Sequence, residues 1–324
     1  MIRRLFLGAT AALALMTGTG QAQEMILRSA DIHPDGYPTV EAVKYMGELL
    51  QQKTDGRISV EVFHSRQLGE EKDTIEQTRF GVIDMNRVNL APFNNLVPAT
   101  VVPALPFIFR STEHMHQVMD GEIGDEIRAA FEPHDLVALA YYDSGARSFY
   151  TVGKPIRGIE DMQGQKIRVQ QSDMWLSMMQ ALNANPTPMS FGEVYSALQT
   201  GVIDGAENNW PSLESSKHYE VAKFYTLTEH SMSPEVLVMA KATWDKLSPE
   251  DQQAVQEAAQ ESVGKMRDLW AEREKASEEI VRQAGVEVIE VDKQPFVDAM
   301  GPVYEEFANT PELKDLVERI QAVE

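Results

Sequence analysis

Cysteine is absent from all 324 residues, which removes disulfide staples, thiolate metal sites and thiol nucleophiles together. Basic residues are scarce: 29 Lys and Arg stand against 50 Asp and Glu, a formal charge of −21. Such a surface repels phosphodiester backbones and anionic lipid, so nucleic acid and direct membrane insertion are not expected. Beyond the first residues, no stretch approaches the roughly 20 apolar residues that a membrane-spanning helix needs. Catalytic and nucleotide signatures are missing as well: no P-loop, dinucleotide glycine fingerprint, HExxH, GxSxG or EF-hand pattern follows the N-terminal segment. His114 and His116 would stand about 200° apart on a helix and so cannot chelate one metal from a single face. No metal, cofactor or catalytic residue is therefore expected, and the chain reads as a non-enzyme.

What is present is an ordinary globular composition, 43% hydrophobic and 24% charged, in a chain long enough for about two domains and for a core without staples. Arg3 and Arg4 precede an apolar run from Leu5 to Met16, and small and polar residues then lead to Ala22. That order is a secretory signal, with residues 1 to 22 removed near Ala22. Removal takes away two arginines and no acid, so the formal charge goes from −21 to −23. Export without an anchor, in a cysteine-free chain, suits the periplasm.

From Met25 onward, strand-like and helix-like pieces alternate. "MILRSADI" reads as a strand, "TVEAVKYMGELLQQKTDG" as an amphipathic helix stopped by Gly56, and "RISVEVFH" as a second strand. The second half repeats this grammar with "VALAYYDSGARSFYTV", "QKIRVQQ" and two helical stretches. The tetrapeptide GVID occurs at 81 to 84 and again at 201 to 204. In both places Gly is expected to end a helix and Val-Ile to open a buried strand, as in two similar α/β domains. Residues 249 to 284 open with Ser248 as N-cap and Pro249 at the first helical position. As one helix they would extend about 54 Å, which must touch both domains. Val255, Ala259, Val263, Met266, Trp270, Ser277, Ile280 and Ala284 form its expected buried stripe. A kink at Gly264, or two packed helices, is the alternative.

Ligands of open α/β sheets sit beyond the carboxyl ends of the strands. Asn86 and Asn89 in one half, and Asn208 and Asn209 in the other, stand at such ends and could face each other across a cleft. In "KIRVQQSDMW", Lys166 and Arg168 share one strand face. Arg168 thus projects just before a helix, where a guanidinium can grip a carboxylate with two parallel hydrogen bonds. Arg147 in "SGARSFY" offers a second cation to the same anion. His33 follows a strand, and Glu70 and Glu71 open a helix; acceptors of this kind suit ligand hydroxyls. Trp175 and Trp210 are core residues or an apolar wall.

The stretches "GQKIRVQQSDMW" and "PMSFGEVYSALQTGVIDGAENNWPS" closely resemble the extracytoplasmic solute receptors of TRAP (tripartite ATP-independent periplasmic) transporters. "GEEKDTIEQTRFGVIDMNRVN", "VPALPFIFRS" and "LSPEDQQAVQEAA" are similar to segments of the same family. The resemblance implies two α/β domains joined by hinge strands and a long helix, closing over an organic anion delivered to TRAP permease subunits. It implies domain I from residues 23–145 plus 233–270 and domain II from 146–232 plus 271–324. It places Arg168 on the ligand carboxylate, with Arg147 as second cation and Asn208 or Asn209 beside them, and it favours Glu71 over Glu70. Its hexuronate-binding members resemble this chain at "ADIHPDGYPT", "LGEEKD", "MNRVN" and "GAENNWPS". D-glucuronate or D-galacturonate is then the expected ligand, with hydroxyls for His33, Glu71, Asn89 and Asn208. The alternatives are a C4-dicarboxylate, aldonate or keto acid, or a periplasmic sugar-acid enzyme.

Overall fold

The computed structural model describes residues 25–324; the expected export signal, residues 1 to 22, lies outside them. Two sheets organise the chain. The first holds β1 (Met25–Ala30), β2 (Ile58–Phe63), β3 (Met85–Asn89), β4 (Leu136–Tyr142) and the late strand β10 (Glu235–Ala240), in the order β2-β1-β3-β10-β4. The second holds β5 (Arg147–Thr151), β6 (Lys166–Val169), β7 (Asn185–Pro188), β8 (Gly205–Asn208), β9 (Phe224–Ser231) and β11 (Glu287–Ile289), in the order β11-β9-β5-β8-β6-β7. β1 pairs in parallel with β2 and β3, and β6 with β7 and β8. β10 runs antiparallel to β3, and β5 antiparallel to β8. The chain passes between the sheets at residues 143–146 and 232–234, which turns the β-prone run from 137 to 152 into two strands of different sheets.

The third connection is a single helix, Pro249–Gln283, of 35 residues, about 52 Å long. Ser248 caps it by accepting the Asp251 N–H at 3.1 Å. The Asp251 carboxylate takes both arms of Arg57, at 3.1 and 2.6 Å, and so ties the helix start to the entry of β2. Gly264 does not break it, because the surrounding helix supplies the backbone bonds. Val255, Ala259, Met266 and Trp270 pack into the core of the first lobe, and Val281 into that of the second. Of these, the fully buried Val255, Met266 and Val281 contribute about 1.5–3 kcal/mol each. The expected stripe drifts at its end: Ile280 is 42% exposed and Val281 is buried instead.

The repeated GVID is a helix stop, and the expected strand begins later than the sequence pattern implied. Gly81 and Gly201 adopt φ of 68° and 72°. The Val82 and Val202 N–H groups reach back to the Gln77 and Ala197 carbonyls, and Gly81 and Gly201 to those of Thr78 and Leu198, a Schellman closure in each lobe. The valines are then thrown outward, 53% and 56% exposed, while Ile83 and Ile203 are buried. Asp84 and Asp204 accept the backbone N–H of Arg28 and Lys166, at 2.9 and 2.8 Å. The strands start only at Met85 and Gly205.

The expected assignment of residues 271–324 to the second lobe does not hold for the last helix, Pro311–Ala322. Its Leu316, Val317 and Ile320 are buried, the Ile320 carbonyl lies 2.9 Å from His114 Nε2, and Arg319 reaches Glu126 at 2.7 Å. The apolar face of this helix is satisfied by the first lobe's helices, a long-range contact that sequence order does not encode.

Candidate functional site

The strand ends that meet between the sheets build one cavity. β1 and β3 end at Ala30 and Asn89, and antiparallel β10 starts at the same level, with Glu235 paired to Asn89. Across the gap, β6 and β8 end at Val169 and Asn208, and antiparallel β5 starts beside them at Arg147. The lobes leave only a narrow free space there, about 20 Å³.

His33, Glu71, Asn89, Arg147, Arg168, Asn208 and Asn209 all line it, together with Ile32, Gln170, Phe191, Ser212 and Glu235. The second group was not singled out from the sequence. Gln170 had a signal, since it stands two positions after Arg168 on the same strand face. Glu235 had none, because only the antiparallel pairing of β10 brings it beside Asn89. Asn86 does not belong to the cavity: it lies inside β3 and donates to Thr74 Oγ1 at 3.0 Å. The two tryptophans do not form its apolar wall either. Trp175 and Trp210 are buried in the core, and Phe191 and Ile32 supply the apolar contact.

The two arginines are in different electrical states. Arg147 is gripped by Glu207 through Nε at 2.6 Å and Nη2 at 2.8 Å, and its Nη1 donates to Asn208 Oδ1 at 2.8 Å. Burial opposes its charge, yet the Glu207 carboxylate prevails and its pKa is raised. Its positive charge is therefore already compensated, and it reaches the cavity as an oriented donor. Arg168 is buried too, but Nε and Nη2 both donate to the Met189 carbonyl, at 3.0 and 2.8 Å. Among the described residues no carboxylate lies within ion-pair distance of it. Burial lowers its pKa, as expected for a cation without a counter-ion.

The first lobe faces these cations with acceptors. Arg87, fully buried, holds Asp31 through Nε at 2.9 Å and Glu235 through Nη1 at 2.6 Å, and Glu71 stands 3.9 Å from Nη1. Burial pushes the Glu71 carboxyl up to about 7, against the pull of Arg87. His33 stacks on Tyr37 with ring centroids 3.8 Å apart. Burial, reinforced by Arg87, drives its pKa well below the ordinary value, so the ring is neutral at pH 7. His33 Nδ1 and Gln170 Oε1 are buried with no partner among the described residues; a buried polar atom left unpaired costs about 1–3 kcal/mol. Both line the cavity, where a ligand's hydroxyls can satisfy them.

The lobes are in contact around the site. Tyr37 Oη and Ser212 Oγ lie 2.9 Å apart, Asn95 donates to Asp173 at 3.1 Å, and the Asn94 amide meets Ser172 Oγ at 2.9 Å. At another edge Glu70 and Arg66 press on the backbone of Gly192. Glu70 thus stands outside the cavity that Glu71 lines.

The family model described as bacterial extracellular solute-binding protein, family 7, matches residues 29–310. The chain belongs to this family. It has the two-domain architecture of TRAP periplasmic solute-binding proteins, to whose solved structures it is similar over nearly its full length. A protein from Bradyrhizobium sp. BTAi1, solved in complex with α/β-D-galacturonate, is 60% identical with a TM-score of 0.90, over 91% of this chain and 99% of that one. One from Pseudomonas putida F1, with bound D-glucuronate, is 46% identical with a TM-score of 0.90, over 92% and 97%. A solute-binding protein of Chromohalobacter salexigens is 44% identical over 97% of this chain and 94% of its own length. Receptors of this family act outside the cytoplasmic membrane, and among the described residues no helix is long and apolar enough to cross one.

Proposed function

We propose that this receptor captures a hexuronate, D-glucuronate or D-galacturonate, in the periplasm and delivers it unchanged to TRAP permease subunits. In this reading residues 1 to 22 direct export, and the two lobes, each built on one sheet, close over the sugar. The observation that carries it is Arg168, a buried guanidinium whose only acceptor among the described residues is one carbonyl, aimed into a cavity whose far side is rich in acceptors. A hexuronate has one carboxylate and several hydroxyl donors, which matches that asymmetry. The second carboxylate of a C4-dicarboxylate would meet Glu235 and Glu71, where like charges repel. Relatives solved with uronates bound support the same choice.

A thermal-shift screen over uronates, aldonates, C4-dicarboxylates and keto acids tests it. Only the hexuronates should raise the melting temperature strongly, since ligand at 100 times its Kd adds about 2.7 kcal/mol to stability. A dicarboxylate that stabilises while both uronates leave the transition unmoved would overturn the assignment. Conversion of a uronate to a new product on incubation would overturn the non-enzymatic reading.

A further inference from the structure

Ile32 and Phe191 line the binding cavity on one side and a second, larger space of about 200 Å³ on the other. The outer space lies between the loop after β2 and the turn at Lys217, and both Arg66 and Lys217 on its rim are exposed. Its lining contains these two cations and, among the described residues, no Asp or Glu. In a chain with 50 acids to 29 bases that is a local inversion of sign. Glu70 stands behind Arg66 at 3.5 Å, outside the lining, and Lys217 forms no ion pair among the described residues. Ser215 Oγ is buried with no partner among the described residues, and the Tyr195 and Phe191 side chains add aromatic surface.

The backbone at this rim is unusual. Of the eight non-glycine residues with positive φ among the described residues, three are Ser65 at 55°, Arg66 at 61° and Lys217 at 60°. Such conformations cost of order 1 kcal/mol each and persist where the surrounding structure imposes them, often at functional sites. Here they place two cations on one chamber.

We propose that the outer chamber is a capture subsite for the acidic sugar: the ligand carboxylate docks on Arg66 and Lys217 before passing Phe191 to Arg168. The inference rests on the hexuronate reading. Its physical purpose is kinetic, because a protein of formal charge −21 repels an anion at long range, and a cationic cleft can raise association rates by about 10- to 1000-fold. The subsite acts through its long-range field on the arriving anion and makes no contact with the sugar once it sits on Arg168, so its loss slows arrival and weakens affinity by the same factor.

Stopped-flow fluorescence with D-galacturonate tests this on Lys217→Gln, on Arg66→Gln/Lys217→Gln, and on Lys265→Gln, which removes one exposed charge from the long helix far from either chamber. Expected at low salt are association rate constants about threefold and tenfold below the parent for the first two and unchanged for the third, with dissociation unaffected. The deficit should vanish towards 1 M salt, where the screening length falls to about 3 Å. Parental association in the double variant, a change confined to dissociation, or a deficit that survives high salt overturns the subsite and leaves the hexuronate reading standing. Failure of the parent to bind any uronate sinks both.

Discussion

Arg168→Gln leaves the unliganded receptor at least as stable as the parent and removes most of its affinity for a hexuronate. The two halves of this result have one cause. Among the protein's own groups, the guanidinium is 3% exposed, lacks a carboxylate partner among the described residues, and is neutralised only in part by the Met189 carbonyl. A buried cation in that condition is a standing cost, so replacing it by a neutral amide does not harm the empty fold. With ligand, the same cation meets the sugar's carboxylate, and truncating one partner of a buried charged pair costs about 2–5 kcal/mol. Affinity should fall about 30- to several-thousand-fold, measured by titration calorimetry beside thermal unfolding of both empty proteins. Arg168→Lys should recover little, because an ammonium cannot present two parallel N–H donors. Arg147 cannot serve in this experiment: its removal strands Glu207, which is fully buried, and would destabilise the empty protein. A parental Kd in Arg168→Gln would show that the carboxylate is held elsewhere.

Arg87→Met should be the most destabilising single change at the site, at about 3–5 kcal/mol or roughly 6–20 °C in melting temperature. Arg87 is 1% exposed and holds Asp31 and Glu235, with Glu71 near by. Methionine fills similar volume but leaves these carboxylates buried together with no cation. Losing that counter-charge in a buried setting disfavours the ionised carboxylates in the fold relative to the unfolded chain. A group of that kind contributes stability that is present below its unfolded pKa and lost as pH rises through its folded pKa. The deficit relative to the parent should therefore be full at pH 7 to 8 and shrink towards pH 4, followed by urea unfolding across that range. A deficit independent of pH would mean that packing, rather than orphaned charge, sets the loss.

Much of the site was legible because strand periodicity and strand polarity are local properties. Arg168 alternates with Ile167 and Val169, so its side chain had to leave the face those two bury, and Asn208 and Asn209 end a strand whose helix stop is written in Gly201. The charge states were not legible. Nothing near Arg147 in sequence reveals that Glu207 neutralises it, and nothing near Arg168 reveals that no acid does, because both depend on which strands neighbour β5 and β6. The buried Arg87 went unremarked for the same reason: its partners are 56 and 148 residues away. The late opening of β3 and β8 came from a conflict between two local rules. The Schellman closure needs two residues beyond the glycine, and it outweighed the strand preference of valine.

By itself, the amino-acid sequence determined the alternation of strands and helices, the capped start of the long helix, the two glycine stops, and the ring of polar residues waiting at strand ends. These follow from propensity, capping and period, which act over a few residues. Tertiary structure alone decided which of the two arginines keeps an uncompensated charge, where the last helix docks, and how an outer chamber of positive sign arises on an acidic protein. Those outcomes depend on desolvation and on Coulomb partners brought together across the fold, and neither is a property of any short stretch of chain.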